Sequence, residues 1–144
     1  MLARRFALLL TLASAALAVA PGAAMAGTLI RVIDSSSFGP VLHDGRGQAI
    51  YAFTHDRPSR SRCYGECAHD WPPVKTAGRP RGGKRVDGDL LGATRRSDGS
   101  TQVTYKGRPL YFYRNEGRRQ IFCQNVFSFG GRWLVVRPSG RLVR

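Results

Sequence analysis

A block repeated at a fixed offset constrains this chain more than any other feature. "GQAIYAFTHDRPSRSRC", from Gly47 to Cys63, aligns without a gap on "GRPLYFYRNEGRRQIFC", from Gly107 to Cys123, each position displaced by 60 (Tyr51 to Tyr111). Ile50 meets Leu110, Phe53 meets Tyr113, Asp56 meets Glu116 and Cys63 meets Cys123. Two residues of slippage then bring Trp71-Pro72-Pro73-Val74 onto Trp133-Leu134-Val135-Val136. The coincidences fall on aromatic, cysteine and tryptophan positions, as they would in a duplicated unit. Two copies are too few for a solenoid, so a pseudo-symmetric pair sharing one core is expected.

Each copy opens like a β-hairpin. Asp44-Gly45 separates Val41-Leu42 from Ala49 to Phe53, and Lys106-Gly107 separates Val103 to Tyr105 from Leu110 to Tyr113. Alternation places Tyr51 and Phe53 on one face and Ile50 and Ala52 on the other, with Tyr111 and Tyr113 opposing Leu110 and Phe112 in the same way. Both faces are apolar, so both should be covered. Further strands are readable at Leu29 to Ile33, at Trp133 to Val136 and, after a turn at "RPSG", at Leu142-Val143. Ser61 to His69 shows no alternation and predicts a helical turn that Pro72 ends. The fold class expected is mainly β, with antiparallel strands in two repeats, about 39–74 and 99–136. A basic Gly- and Pro-rich loop, about 75–98, should join them; its start should be mobile, Leu90-Leu91 should dock on the core, and Asp98-Gly99 should turn the chain into Val103.

Arg4 and Arg5 precede an apolar run from Phe6 to Ala20, and small residues end in Ala24-Met25-Ala26, the pattern of a secretory signal peptide cut before Gly27. General secretion explains the two arginines better than a twin-arginine signal does. Residues 27–144 then form one exported domain, periplasmic or secreted, and no later apolar run is long enough to span a bilayer. Removing the two leader arginines from 23 Lys and Arg leaves 21 against nine acids, a balance of +12. That charge suits an acidic polymer or a membrane surface as partner. The arginines are scattered among glycines and prolines instead of lining a helix, so specific nucleic-acid binding is not expected.

"RCYGECAHDWPP", from Arg62 to Pro73, admits three readings. Covalent haem needs Cys-x-x-Cys-His, and the spacing here is Cys63-x-x-x-Cys67-x-His69. A copper or zinc site would use Cys63, Cys67 and His69, with Cys123 or His55 brought in by the repeat, but the paired spacings of structural zinc are missing. The third reading is a disulfide staple, which an exported small domain favours, and which leaves no cofactor to expect. Three thiols allow three pairings.

Asp56 and Glu116 are equivalent carboxylates that could serve a hydrolase if held at the right separation; turn capping, or pairing with Arg57 or Arg118, is the simpler reading. Tyr51, Phe53, Tyr111 and Tyr113 could form a platform for sugars, quinones or bases, as could Trp71 and Trp133, but core packing accounts for all six more directly. His43 and His55 lie near turns and are expected in solvent, and "DGDLL" at Asp87 to Leu91 lacks the remaining ligands of a calcium loop.

"YAFTHD" at Tyr51 to Asp56, "CYGECAHDWPP" at Cys63 to Pro73, "DGSTQVTYKGRPLYFY" at Asp98 to Tyr113 and "FGGRWLVVRPSG" at Phe129 to Gly140 resemble a family of bacterial secreted repeats, described as predicted lipoproteins with a Tyr-x-aromatic-x-x-Asp motif and without an established biochemical function. The resemblance marks Tyr51, Phe53, Asp56, Trp71, Pro72, Pro73, Tyr111, Tyr113, Glu116 and Trp133 as motif positions. It implies the pairing Cys63–Cys67, since one motif holds both, and so leaves Cys123 unpaired. This sequence departs from the pattern by Glu116 in place of aspartate, by the extra Cys123, and by having no cysteine at the cut for a lipid. The expectation is an envelope module that binds or assembles without catalysis. Beside it stand a metal-handling or redox protein using Cys63, Cys67 and His69, and a hydrolase using Asp56 and Glu116.

Overall fold

The computed structural model describes residues 24–144, so the expected signal peptide, 1–26, lies outside the described residues except for its last three. Nine strands and one short helix follow in order: β1 (Leu29–Ser35), β2 (Gly39–Asp44), β3 (Tyr51–Phe53), α1 (Glu66–Asp70), β4 (Arg81–Gly82), β5 (Leu91–Arg95), β6 (Thr101–Tyr105), β7 (Arg108–Tyr111), β8 (Val126–Ser128) and β9 (Gly131–Val135). A 3-10 turn at Gly88–Leu90 precedes β5. One sheet has the order β5-β6-β7-β3-β9-β8, and a smaller one has β2-β1-β4. The mainly β class read from alternation is the observed one, and α1 is the helical turn that the run to Pro72 predicts.

The two repeats meet where β3 and β7 pair antiparallel, Tyr51 opposite Tyr111 and Ala52 opposite Leu110. Alternation sends these residues to two cores. Tyr51, Phe53 and Tyr111 pack with Trp71, Trp133, Cys63 and Cys67 on one face of the sheet. Ile50, Ala52 and Leu110 pack with Leu42, Val74, Val103, Tyr105 and Val136 on the other. Both faces are therefore covered, which is why neither strand shows a polar side.

Contacts of one repeat recur in the other with the roles exchanged, the signature of a pseudo-twofold axis. The Leu42 amide donates to the Val136 carbonyl (2.8 Å), and the Val103 amide donates to the Val74 carbonyl (2.8 Å). Tyr51 faces Val135 across β3 and β9, while Tyr111 faces Pro73 in an isolated bridge. The second contact stops at a bridge because Pro72 and Pro73 stand where Leu134 and Val135 complete a strand, and proline has no amide hydrogen to give the ladder.

The repeats also differ at their hairpins. Lys106 and Gly107, both at positive φ (49° and 73°), close β6 onto β7 in the two-residue turn suited to twisted strands. In the first repeat Gly45-Arg46-Gly47 is one residue longer, and the Asp44 carboxylate caps it by accepting from the Arg46 and Gln48 amides (3.0 and 2.8 Å). There β2 approaches β3 only at the His43–Ala49 bridge. The basic stretch between repeats is more ordered than its glycines and prolines suggest. Leu90 and Leu91 pack on the second core, as expected, but β4 runs parallel to β1, and β5 forms a five-residue ladder with β6. Gly92-Ala93-Thr94 carries too little apolar alternation to announce that strand.

Candidate functional site

The residues singled out by the repeat converge on the pseudo-twofold axis. Trp71 and Trp133 stack there with centroids 4.0 Å apart and planes 1° from parallel. Each is met edge-on by the tyrosine of its own repeat at 5.2 Å, Tyr51 on Trp71 and Tyr111 on Trp133. Phe53 stacks on Trp133 at 4.0 Å, and its counterpart Tyr113 lies against Trp71 at 4.9 Å. The aromatic motif positions are core, with Tyr113 at its edge; they form an interior seam and not a platform. His43, expected in solvent, is 1% exposed, with Nδ1 3.1 Å from the Val41 carbonyl. It lies on the covered face of β2, and burial lowers its tendency to take a proton. His55 is exposed, as expected.

Asp56 and Glu116 complete the seam by a reciprocal exchange. The Tyr51 hydroxyl donates to Glu116 Oε1 (2.6 Å), and the Tyr111 hydroxyl donates to Asp56 Oδ2 (2.7 Å). Each carboxylate then caps the loop that follows it. Asp56 Oδ1 accepts from the Arg62 amide (2.7 Å), while Glu116 Oε1 accepts from the amides of Phe122 and Cys123 (2.6 and 3.1 Å). Arg62 and Phe122 are repeat counterparts, so the exchange obeys the same symmetry as the tryptophans. Neither carboxylate pairs with Arg57 or Arg118; the capping half of the simpler reading is what forms. The Tyr-x-aromatic-x-x-acid spacing was the available sequence signal, but which repeat each acid serves is a property of the axis.

Burial sets the protonation of these groups. It pushes the Asp56 carboxyl up to about 6, against the pull of its hydrogen bonds, and raises Glu116, whose Oε2 is buried without a partner. Tyr51 and Tyr111 are held firmly protonated, as hydroxyls buried beside carboxylates must be. A depression of about 180 Å³ opens beside Asp56, between Phe53, Pro58, Lys106 and Arg108. Beside Glu116, Gln48 Nε2 donates to the Tyr113 and Glu116 carbonyls (3.1 and 3.3 Å).

Cys63 and Cys67 form a disulfide. The bridge fixes the start of α1, whose last turn donates the Trp71 amide to the Cys67 carbonyl (2.8 Å) and so carries the tie to the stacked indole. Arg96, just past the end of β5 and 3% exposed, holds the same loop by donating to the Cys63 carbonyl (2.6 Å), Ser61 Oγ (2.9 Å) and Gln102 Oε1 (2.7 Å). Nothing in the arginine-rich stretch distinguished it beforehand. His69 sits outside on the helix, accepting from Arg114 Nη1 (2.7 Å) beside Asp70. Cys123 is unpaired and half-buried near Tyr113 and Glu116, and burial pushes its thiol up. Cys63 and Cys67 are thus bonded to each other, Cys123 packs against the core that holds them, and His69 faces outward; among the described residues no group of three or more His, Cys, Asp or Glu is placed to hold a metal. Asp87 of "DGDLL" accepts from the Asp89 amide (3.0 Å) as a local cap.

The second repeat departs from the first after its cysteine. Where Cys67 and α1 stand in one, β8 and β9 form a hairpin in the other, closed by Phe129 and Gly130 at positive φ (52° and 83°). Trp133 turns inward and donates to Ser128 Oγ (3.0 Å), while Phe127 and Arg132 share the outer face, the guanidinium 5.8 Å from the ring centroid. Phe122, Val126, Phe127 and Phe129 are all exposed. No helix of the described residues is long and apolar enough to cross a membrane.

A family model described as a secreted repeat of unknown function matches the chain twice, over residues 32–75 and 92–137. No curated protein and no solved structure shows a significant match. The two matched segments start 60 positions apart, at 32 and 92, the offset of the internal repeat.

Proposed function

The chain belongs to this family of secreted repeats of unknown function, and from that premise we propose that it is an exported, non-catalytic binding module of the cell envelope. The observation that carries the reading is a division of labour between interior and surface. Asp56 and Glu116, the pair a hydrolase would use, are spent on the tyrosines of the opposite repeat and on loop amides. Cys63 and Cys67, the sulfurs a metal site would use, are spent on each other. Apolar side chains are meanwhile displayed on the β8–β9 hairpin, where they add nothing to the core. The depression at Asp56, about 180 Å³, is below the roughly 300 to 1,000 Å³ of ordinary small-molecule sites, which argues against a substrate pocket at that carboxylate.

The test is saturable retention of the processed, oxidised protein on washed cell envelopes, with Asp56→Asn retained equally once its fold is verified. Absence of retention, together with a hydrolytic turnover that Asp56→Asn abolishes without lowering the melting temperature, would replace the binding module by the hydrolase.

A further inference from the structure

Residues 117–144 contain six arginines, Arg118, Arg119, Arg132, Arg137, Arg141 and Arg144, and not one aspartate or glutamate. None of the six forms an ion pair among the described residues, where the pairs use Arg46, His69, Arg85, Arg96 and Arg114. The same segment carries Phe122 and Phe127, exposed at 67% and 65%, with Val126 and Phe129 beside them in the chain. By the repeat offset Phe122 replaces Arg62 and Val126 replaces Glu66, both exposed and charged, and Phe127 replaces Cys67, which is buried in the core of the first repeat whereas Phe127 is exposed. The second repeat has exchanged a charged, disulfide-locked helix for an apolar hairpin within a stretch, 117–144, that contains no acidic residue. Arg132 lies over Phe127, 5.8 Å from the ring centroid, and Arg144 lines one depression with Arg132 and another with Arg137.

Resting on the binding-module reading, we infer that the β8–β9 hairpin with the loop at Phe122 docks the protein on the surface of an anionic phospholipid bilayer. The arginines meet lipid phosphates, and the phenylalanine rings enter the boundary between headgroups and acyl chains. Charge complementarity selects this occupant. A second copy would bring Arg132, Arg137 and Arg144 against the same cations, and β8, although an edge strand, offers only three residues for pairing. A soluble polyanion would satisfy the arginines but offer no apolar medium to rings that carry no polar atom.

Co-sedimentation of the processed protein with phosphatidylglycerol/phosphatidylethanolamine vesicles, and with phosphatidylcholine vesicles as the neutral arm, tests the inference. Binding to the anionic vesicles alone is expected, weakened by salt, and reduced at least about tenfold by Phe122→Ser with Phe127→Ser and by Arg132→Gln with Arg144→Gln. Slowed hydrogen exchange at the amides of residues 125–133 on vesicle addition provides a readout on the unaltered chain. Three results would overturn the inference: no partition onto anionic vesicles, partition indifferent to the phenylalanine changes and matched by soluble polyphosphate, or a concentration-dependent dimer that Phe127→Ser abolishes. Retention on washed envelopes combined with indifference to vesicles would leave the binding module standing and remove only the bilayer as its target.

Discussion

Replacing one tyrosine hydroxyl of the reciprocal exchange tests whether the repeats are tied across the axis. Tyr51→Phe and Tyr111→Phe delete the same atom from equivalent rings, yet they leave different acceptors behind. Glu116 Oε1 keeps two amide donors when Tyr51 loses its hydroxyl. Among the described residues Asp56 Oδ2 has no donor but Tyr111, and Ser61 Oγ, 2.7 Å from the same hydroxyl, loses a neighbour as well. A hydrogen bond to a charged group contributes about 1.5–3 kcal/mol net, and the upper end applies where the remaining partner is left bare. Tyr51→Phe should therefore cost about 1.5 kcal/mol, and Tyr111→Phe about 3 kcal/mol. In a domain of this size that difference corresponds to roughly 5 °C in melting temperature. Urea unfolding of the oxidised protein, followed by tryptophan fluorescence, measures both. Adding Glu116→Gln to Tyr51→Phe closes a cycle whose coupling should reach about 1 kcal/mol, because the two side chains are in direct contact. Equal costs below about 0.5 kcal/mol, or strict additivity in the cycle, would refute the exchange as a structural tie.

Asp56 also sets a pH dependence. Its carboxyl is raised from 3.8 to about 6 by burial, so between those values the folded state holds a proton that the unfolded state has released. Its contribution to stability is thus fully present below pH 3.8 and lost as pH climbs through 6. The ceiling is about 3 kcal/mol, reduced to about 2 for a carboxyl still partly open to water. Asp56→Asn should accordingly gain about 2 kcal/mol on the parent between pH 4 and 7; a gap that is flat or narrows over that range would contradict the burial account. Thiol titration should find one free sulfhydryl, Cys123, slow to react when native and fast in denaturant, and Cys67→Ser should lower stability by about 2 kcal/mol, the contribution of a bridge closing so short a loop. No free thiol would mean that Cys123 is bonded to another chain.

Local signals carried much of this fold into the sequence. The offset of 60 exposed the duplication, the apolar alternation at Tyr51 and Tyr111 exposed two covered faces, and Lys106-Gly107 marked a hairpin that formed. The disulfide came from the motif that holds both cysteines. Hidden features were those created by the axis. Periodicity reports which face a residue takes but not which repeat it meets, so Tyr51 could not be assigned to Glu116, nor Leu42 to Val136. Strand β5 was masked because its register is held by neighbours rather than by its own pattern. His43 was buried by the covering of β2, which a turn-adjacent position does not reveal. The hairpin β8–β9 was visible only in part: Trp133 to Val136 read as a strand, whereas the exposure of Phe122 and Phe127 depends on the loss of the helix that occupies their place in the first repeat.

Two copies of one unit close around a stacked pair of indoles. The chain has two tryptophans, Trp71 and Trp133, and both are in that stack. In protein labelled only at tryptophan, nuclear Overhauser cross-peaks between the two indole rings measure the contact directly. Rings 4.0 Å apart must give strong inter-ring peaks and mutually shielded ring protons, both lost in Trp71→Phe. Two indoles with no cross-peak between them and unshifted ring protons would mean that the repeats do not share this core.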